Sequence, residues 1–180
     1  MAAGLDVVGE NRVQEALGKM AECAGVPVDW HLIGTLQRNK VRHIAGRFAL
    51  IHSVDRLDIA QELDRRTLDG SQQSILVQVN CSGEPQKGGA EPDGLEVLLA
   101  GIQSSSRLAL SGLMTMAAFS EDESVQRSAF AMLRHLRDRM AARGFNVPEL
   151  SMGMSGDFGA AVEEGASIVR LGTVLFGART

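Results

Sequence analysis

The sequence predicts an α/β domain built on a parallel sheet, and three observations lead there. Short β-branched or apolar runs alternate with amphipathic helical stretches along the chain, and each parallel return crossover needs such a helix. The clearest run, SILVQVN at 74–80, is almost continuously apolar, as a strand buried on both faces must be. At 180 residues the chain suits one domain, and no Pro- or Ser-rich linker divides it. Two architectures satisfy these observations: an open doubly wound sheet, and a (β/α)8 barrel of typically about 250 residues.

Residues 6–9 read as the first strand. Val13, Ala16, Leu17, Met20, Ala21 and Ala24 then share one helical face, which Gly25 ends. A second strand at 30–34 precedes a helical stretch from 39 to 46. A third, at 49–54, precedes a helix with Leu57, Ala60 and Leu63 inward and a stop near Gly70, and Asp55 is its expected N-cap. After the strand at 74–80, Pro92 suits a first helical turn, and Leu95, Leu98, Leu99 and Ile102 form the buried stripe. Leu108–Met114 is the fifth strand. Ser120 and Glu123 are spaced as a capping box ahead of a long helix with Val125, Ala129, Met132, Leu136 and Met140 on one face. Strands at 150–152 and 168–171 flank a short helix with Phe158, Ala161 and Val162, and a terminal turn covers 174–177. That makes seven strands, one unit short of a complete barrel.

Composition removes several function classes. Apolar residues at 44% and charged residues at 22% exclude a disordered chain. Eighteen Lys and Arg against 22 Asp and Glu leave a formal charge of -4, no basis for neutralising a nucleic-acid backbone. The most apolar stretch, 108–119, is broken by Ser111, Gly112 and Thr115 and is too short to span a bilayer. Asp6 and Glu10 precede the first Arg, which matches neither a secretory nor a mitochondrial leader. Cys23 and Cys81 are expected to be packing residues in a reducing, cytoplasmic setting. His31, His43, His52 and His135 show no metal-ligand spacing, so no metal site is expected.

Parallel α/β folds place chemistry at the carboxyl ends of their strands. SMGMSGDF (151–158) runs from a strand through a Gly/Ser loop into a helix start, a pattern that suits an anion. Ser151 and Ser155 add hydroxyls there; Ser155 or Asp157 reads equally well as a plain helix cap. Arg170, Leu171, Gly172 and Thr173 repeat the pattern after the last strand, and barrels bind phosphate with the loops after strands 7 and 8. Arg170 could alternatively make a structural ion pair at the rim. His31, with Gln37 and Asn39 beyond it, reads as a turn whose histidine is satisfied by backbone. His52, Ser53 and Asp55 cannot form a hydrolytic triad, because neighbours on one strand point to opposite faces. Met114, Met116, Met152 and Met154 read as barrel filling.

Seven segments, in order and at matching spacing, resemble the pyridoxal 5'-phosphate homeostasis family. They are VGENRVQE (8–15), WHLIGTLQRNK (30–40), IHSVD (51–55), QVNCSGEPQKGG (78–89), SGLMTM (111–116), SMGMSGDF (151–158) and VRLGTVLFGAR (169–179). The resemblance implies a (β/α)8 TIM barrel of the alanine-racemase-like type, truncated at the N-terminus to about seven βα units and forming one domain over residues 1–180. It implies pyridoxal 5'-phosphate as cofactor, bound at the carboxyl end of the strands. Ser155, Gly172 and Thr173 would hold the phosphate with help from Ser151, Arg170 would face the pyridine nitrogen, and Asn11 would lie beside the ring.

The family's cofactor lysine precedes the GEN segment and is absent from this chain, so Lys19, Lys40 and Lys87 are the lysines that remain. The implied function is non-catalytic cofactor homeostasis, with pyridoxal-phosphate-dependent apo-enzymes as recipients and neither nucleic acid nor membrane as partner. Intact relatives would be monomers, and unpaired edges here would favour edge-mediated association. An amino-acid racemase would need a tyrosine base, and the chain has no tyrosine. A phosphate-binding isomerase or aldolase would have to use Glu10 as its base.

Overall fold

The computed structural model describes residues 4–120 and 122–177. In it seven strands pair in parallel and in sequence order. They are β1 (Val7–Glu10), β2 (Asp29–Leu32), β3 (Leu50–Val54), β4 (Gln73–Gln78), β5 (Leu108–Met114), β6 (Glu149–Met154) and β7 (Ile168–Arg170). Between and after them lie α1 (Val13–Glu22), α2 (Val41–Ile44), α3 (Leu57–Arg66), α4 (Leu95–Gln103), α5 (Glu123–Ala142), α6 (Phe158–Glu163) and α7 (Thr173–Phe176). Short 3-10 turns at Arg38–Lys40 and Pro92–Gly94 lead into α2 and α4.

The sheet is curled, which decides between the two architectures. His52 on β3 lies 2.8 Å from Ser151 on β6. In a flat sheet these strands would be about 14 Å apart, beyond the reach of the two side chains. The curl sorts the side chains into two layers. Leu32, Ile51, Ile75, Val77, Leu113 and Leu150 face outward and pack in one large cluster with the inward stripes of the helices. Leu50, Leu76 and Met114 form a smaller cluster inside the barrel, with Met116 and Ile168 against it. Among the described residues β1 pairs only with β2 and β7 only with β6.

Most expected elements fall within a few residues of their observed bounds, and all four leucine and isoleucine positions of the α4 stripe are buried. Several details differ. The buried face of α5 is Ala129, Phe130, Leu133, Leu136 and Met140, while Val125 and Met132 are exposed. Its N-cap is Asp122, which accepts from Ser124 N; Ser120 Oγ serves the Asp122 N–H instead. Val162 of α6 and Met154 of β6 are exposed, so Met154 does not fill the barrel; Met152 packs on the helix side. Cys23 is exposed rather than packed, whereas Cys81 lies against the core and burial pushes its thiol up to about 11. Arg56, not Asp55, occupies the N-cap position of α3. Among the described residues no helix is long and apolar enough to cross a membrane.

One close approach sets the mouth of the barrel between β1 and β2. A Cβ on Gly34 would lie 2.0 Å from the backbone oxygen of Asn11, so only glycine lets these two strand ends meet. Gly34→Ala should therefore destabilise the protein by about 1–3 kcal/mol or more, because backbone rather than a mobile side chain blocks the new methyl. Urea denaturation of the two proteins measures it; an unchanged midpoint would contradict the packing described.

Candidate functional site

The site is built from the carboxyl ends of β6 and β7. Gly153 holds a φ of +92, and a Cβ there would stand 2.6 Å from Ala161 Cβ, so glycine lets α6 pack directly on β6. The Asp157 carboxylate accepts from Met154 N and closes the turn between them. It occupies the N-cap position of α6 without a capping hydrogen bond. Ser155 does not cap α6 either. Its Oγ accepts from Gly172 N at 3.0 Å and Val174 N at 3.3 Å, which ties the loop after β6 to the start of α7. Thr173 sits between those two amides. A Cβ on Gly172 would meet nothing within 4 Å, so the space beside this backbone is open.

Arg170, the last residue of β7, points into the barrel. Its Nη1 donates to Ser151 Oγ at 2.7 Å and its Nη2 to the Thr115 carbonyl at 2.8 Å. Ser151 and Thr115 are fully buried. Among the described residues no carboxylate makes an ion pair with Arg170, so the structural ion pair weighed for it is not made. Desolvation pulls the guanidinium down to about 10, against a smaller opposing pull from Asp157. It remains a cation at neutral pH, with more N–H donors than its two neutral acceptors take.

Ser151 therefore lies deeper than the loop that holds Ser155, engaged by Arg170. It also lies beside His52, 1% exposed, whose Nε2 is 3.0 Å from Nδ1 of the half-buried His31. The two imidazoles are tilted by 48° with centroids 5.1 Å apart. His31 thus pairs with a second histidine, not with backbone. Ser53 donates to the Gly34 carbonyl, so His52 and the hydroxyl beside it serve different partners. Burial, followed by the His31 and Arg170 charges, lowers the His52 imidazole to about 3. Burial also lowers His31, with Asp29 opposing.

Asn11 stands at the carboxyl end of β1, against Gly34, and lines a cavity of about 170 Å³ with Thr35, Gln37 and Lys40. Glu10 faces α1, where Lys19 Nζ donates to it at 2.5 Å, so it is directed away from the barrel interior. Among the described residues no group of three or more His, Cys, Asp or Glu could hold a metal ion.

The family model for the alanine racemase N-terminal domain matches residues 1–180. A pyridoxal phosphate homeostasis protein of Aquifex aeolicus is 46% identical over 179 residues, covering 98% of this chain and 78% of that protein. One of Pseudomonas aeruginosa is also 46% identical, covering 99% of this chain and 76% of that protein. The structure of PipY from Synechococcus elongatus with PLP bound superimposes with a TM-score of 0.89 at 37% identity, over 98% of this chain and 84% of that one.

The depressed histidine makes stability depend on pH with a definite sign. His52 takes up a proton near pH 6.5 when unfolded but near 3 when folded, so acid favours the unfolded chain. Its contribution is complete above pH 6.5 and is lost as the pH falls through that window. At pH 5 the loss should be about 2 kcal/mol. Denaturant unfolding at pH 7.5 and pH 5 measures it, and His52→Phe should flatten the difference; equal pH dependence in both proteins would contradict a buried neutral imidazole.

Proposed function

This chain belongs to the pyridoxal phosphate homeostasis proteins, a family built on the alanine racemase N-terminal domain, and from that premise we propose that it is a non-catalytic binder of pyridoxal 5'-phosphate. The observation that carries the proposal is a cationic Arg170 inside the barrel whose protein acceptors are all neutral. Such a group favours a ligand that brings an acceptor or a negative charge.

The residues present fit that cofactor at both ends. The hydrogen of the Ser155 hydroxyl, whose oxygen already accepts from Gly172 N and Val174 N, and the Thr173 hydroxyl are donors for a phosphate outside the barrel, and the open space beside Gly172 leaves room for it. Arg170 offers unused N–H donors to a ring nitrogen from inside. When bound, pyridoxal phosphate supplies an electron-withdrawing ring conjugated to a reactive aldehyde. Arg170 would donate to the ring nitrogen without surrendering its proton, since it remains charged well above neutral pH. That leaves the nitrogen unprotonated and the ring a weak electron sink. Ser151 and the Thr115 carbonyl keep the guanidinium in place, and Asn11 would border the ring from β1.

The same residues argue against turnover. The chain has no tyrosine to act as a second base, and Glu10 is engaged by Lys19 on the helix side. Of the lysines, Lys40 lies in the cavity with Asn11 and Lys87 in the loop after β4. The contacts that the described residues offer the cofactor are hydrogen bonds and a fixed charge, which suit a ligand passed on to recipient apo-enzymes.

Absorbance titration with pyridoxal phosphate tests the proposal. Wild-type protein should bind saturably, and Arg170→Ala and Ser155→Ala should each weaken binding about tenfold, the loss of one or two good hydrogen bonds. Borohydride treatment followed by mass spectrometry should give no stable adduct. Absence of saturable binding would overturn the carrier reading, and a reduced adduct on Lys40 or Lys87 would overturn non-covalent binding.

A further inference from the structure

We infer that His52 and His31 are positioning residues of the cofactor site, joined to Arg170 through Ser151 in a one-directional hydrogen-bond chain that holds the guanidinium toward the ring nitrogen. This rests on the pyridoxal phosphate reading and extends it to two residues to which that reading gives no contact with the cofactor.

The direction of the chain follows from donors and acceptors. Arginine has N–H donors and no acceptor, so Ser151 Oγ must accept from Arg170 Nη1 at 2.7 Å. The Ser151 hydroxyl hydrogen then needs an acceptor of its own, and His52 Nδ1 stands 2.8 Å away. His52 must leave Nδ1 bare to receive it and carry its proton on Nε2. That N–H donates to His31 Nδ1 at 3.0 Å, which places the His31 proton on Nε2. The opposite order would have Arg170 and His52 both donate to Ser151 Oγ and leave the buried hydroxyl hydrogen without this acceptor. A histidine on β3 and one on β2 thereby set the orientation of an arginine on β7.

The consequence is selective. Removing the His52 acceptor frees the Ser151 hydroxyl to turn, and Arg170 loses the fixed partner that aims it. The Ser155, Gly172 and Val174 link draws on other loops and does not depend on the chain. Binding of a ring-bearing phosphate should therefore suffer while binding of phosphate alone does not.

Two measurements test this. In ligand-free protein labelled with nitrogen-15 in its histidines, imidazole shifts near neutral pH should show His52 and His31 both neutral and protonated on Nε2. A His52 proton on Nδ1 would overturn the chain. Separately, His52→Leu should raise the Kd for pyridoxal phosphate about tenfold and leave inorganic phosphate binding within about twofold. His52→Asn, whose side-chain oxygen can stand where Nδ1 stood, should bind nearly as wild type. Unchanged pyridoxal phosphate affinity in His52→Leu, or equal weakening of both ligands, would overturn the inference. Should His52→Leu not fold, His31→Phe carries the test: it should cost about threefold for pyridoxal phosphate alone, and no change would be adverse. Wild-type protein that binds phosphate but not pyridoxal phosphate would overturn the carrier reading, while the tautomers still decide whether the chain exists.

Discussion

A cation held inside a barrel by neutral groups is the constraint around which this structure is arranged. Arg170 gives up solvent for a serine hydroxyl and one carbonyl, and neither supplies a counter-charge. Those acceptors come from β6 and from the end of β5, and the histidine that backs Ser151 comes from β3. The chain therefore forms only when the sheet curls far enough to bring strands from opposite walls together. The apolar outer cluster supplies the driving force for that curl, and the polar chain converts the curl into a single alignment of residues.

The fold was legible because its signals are local. Strand and helix periodicities can be read within a few turns, and SILVQVN or the Leu95, Leu98, Leu99 and Ile102 stripe needs no knowledge of what lies opposite. The face of α5 was not legible in the same way. Its sequence carries apolar residues on two overlapping stripes, and packing against β5, β6 and α6 selects Phe130 and Leu133 over Val125 and Met132. The helix start was likewise a choice among neighbours, since Ser120 and Asp122 are both competent caps and the chain uses them in series.

The candidate site divides along the same line. Ser155 and Gly172 could be paired from the sequence because their loops follow consecutive strands, which are adjacent in any parallel barrel. His52 and Ser151 are 99 positions apart, and no spacing rule relates them. What the sequence did offer was a polar residue at a lumen position. Leu50 faces the barrel interior, so the alternation of a strand sends His52 inward as well. A histidine in that register needs partners, and it finds one on the neighbouring strand, His31, and one across the barrel, Ser151.

The identity of the groups around Arg170 also bears on why such a site would bind a cofactor without using it. A carboxylate in place of Ser151 would neutralise the guanidinium and remove the electrostatic reason to admit an acceptor-bearing ligand. A carboxylate in place of Arg170 would favour protonation of a ring nitrogen and strengthen the ring as an electron sink. The arrangement found does neither: the arginine keeps its charge, serine and carbonyl orient it, and the neutral histidines behind them leave that charge uncancelled. Glu10 is tied to Lys19 on the outer layer, and among the described residues no carboxylate makes an ion pair with Arg170. On the proposed reading, affinity and inertness would arise from the same placement of charge, because the group that would attract the ring would also keep its nitrogen from accepting a proton.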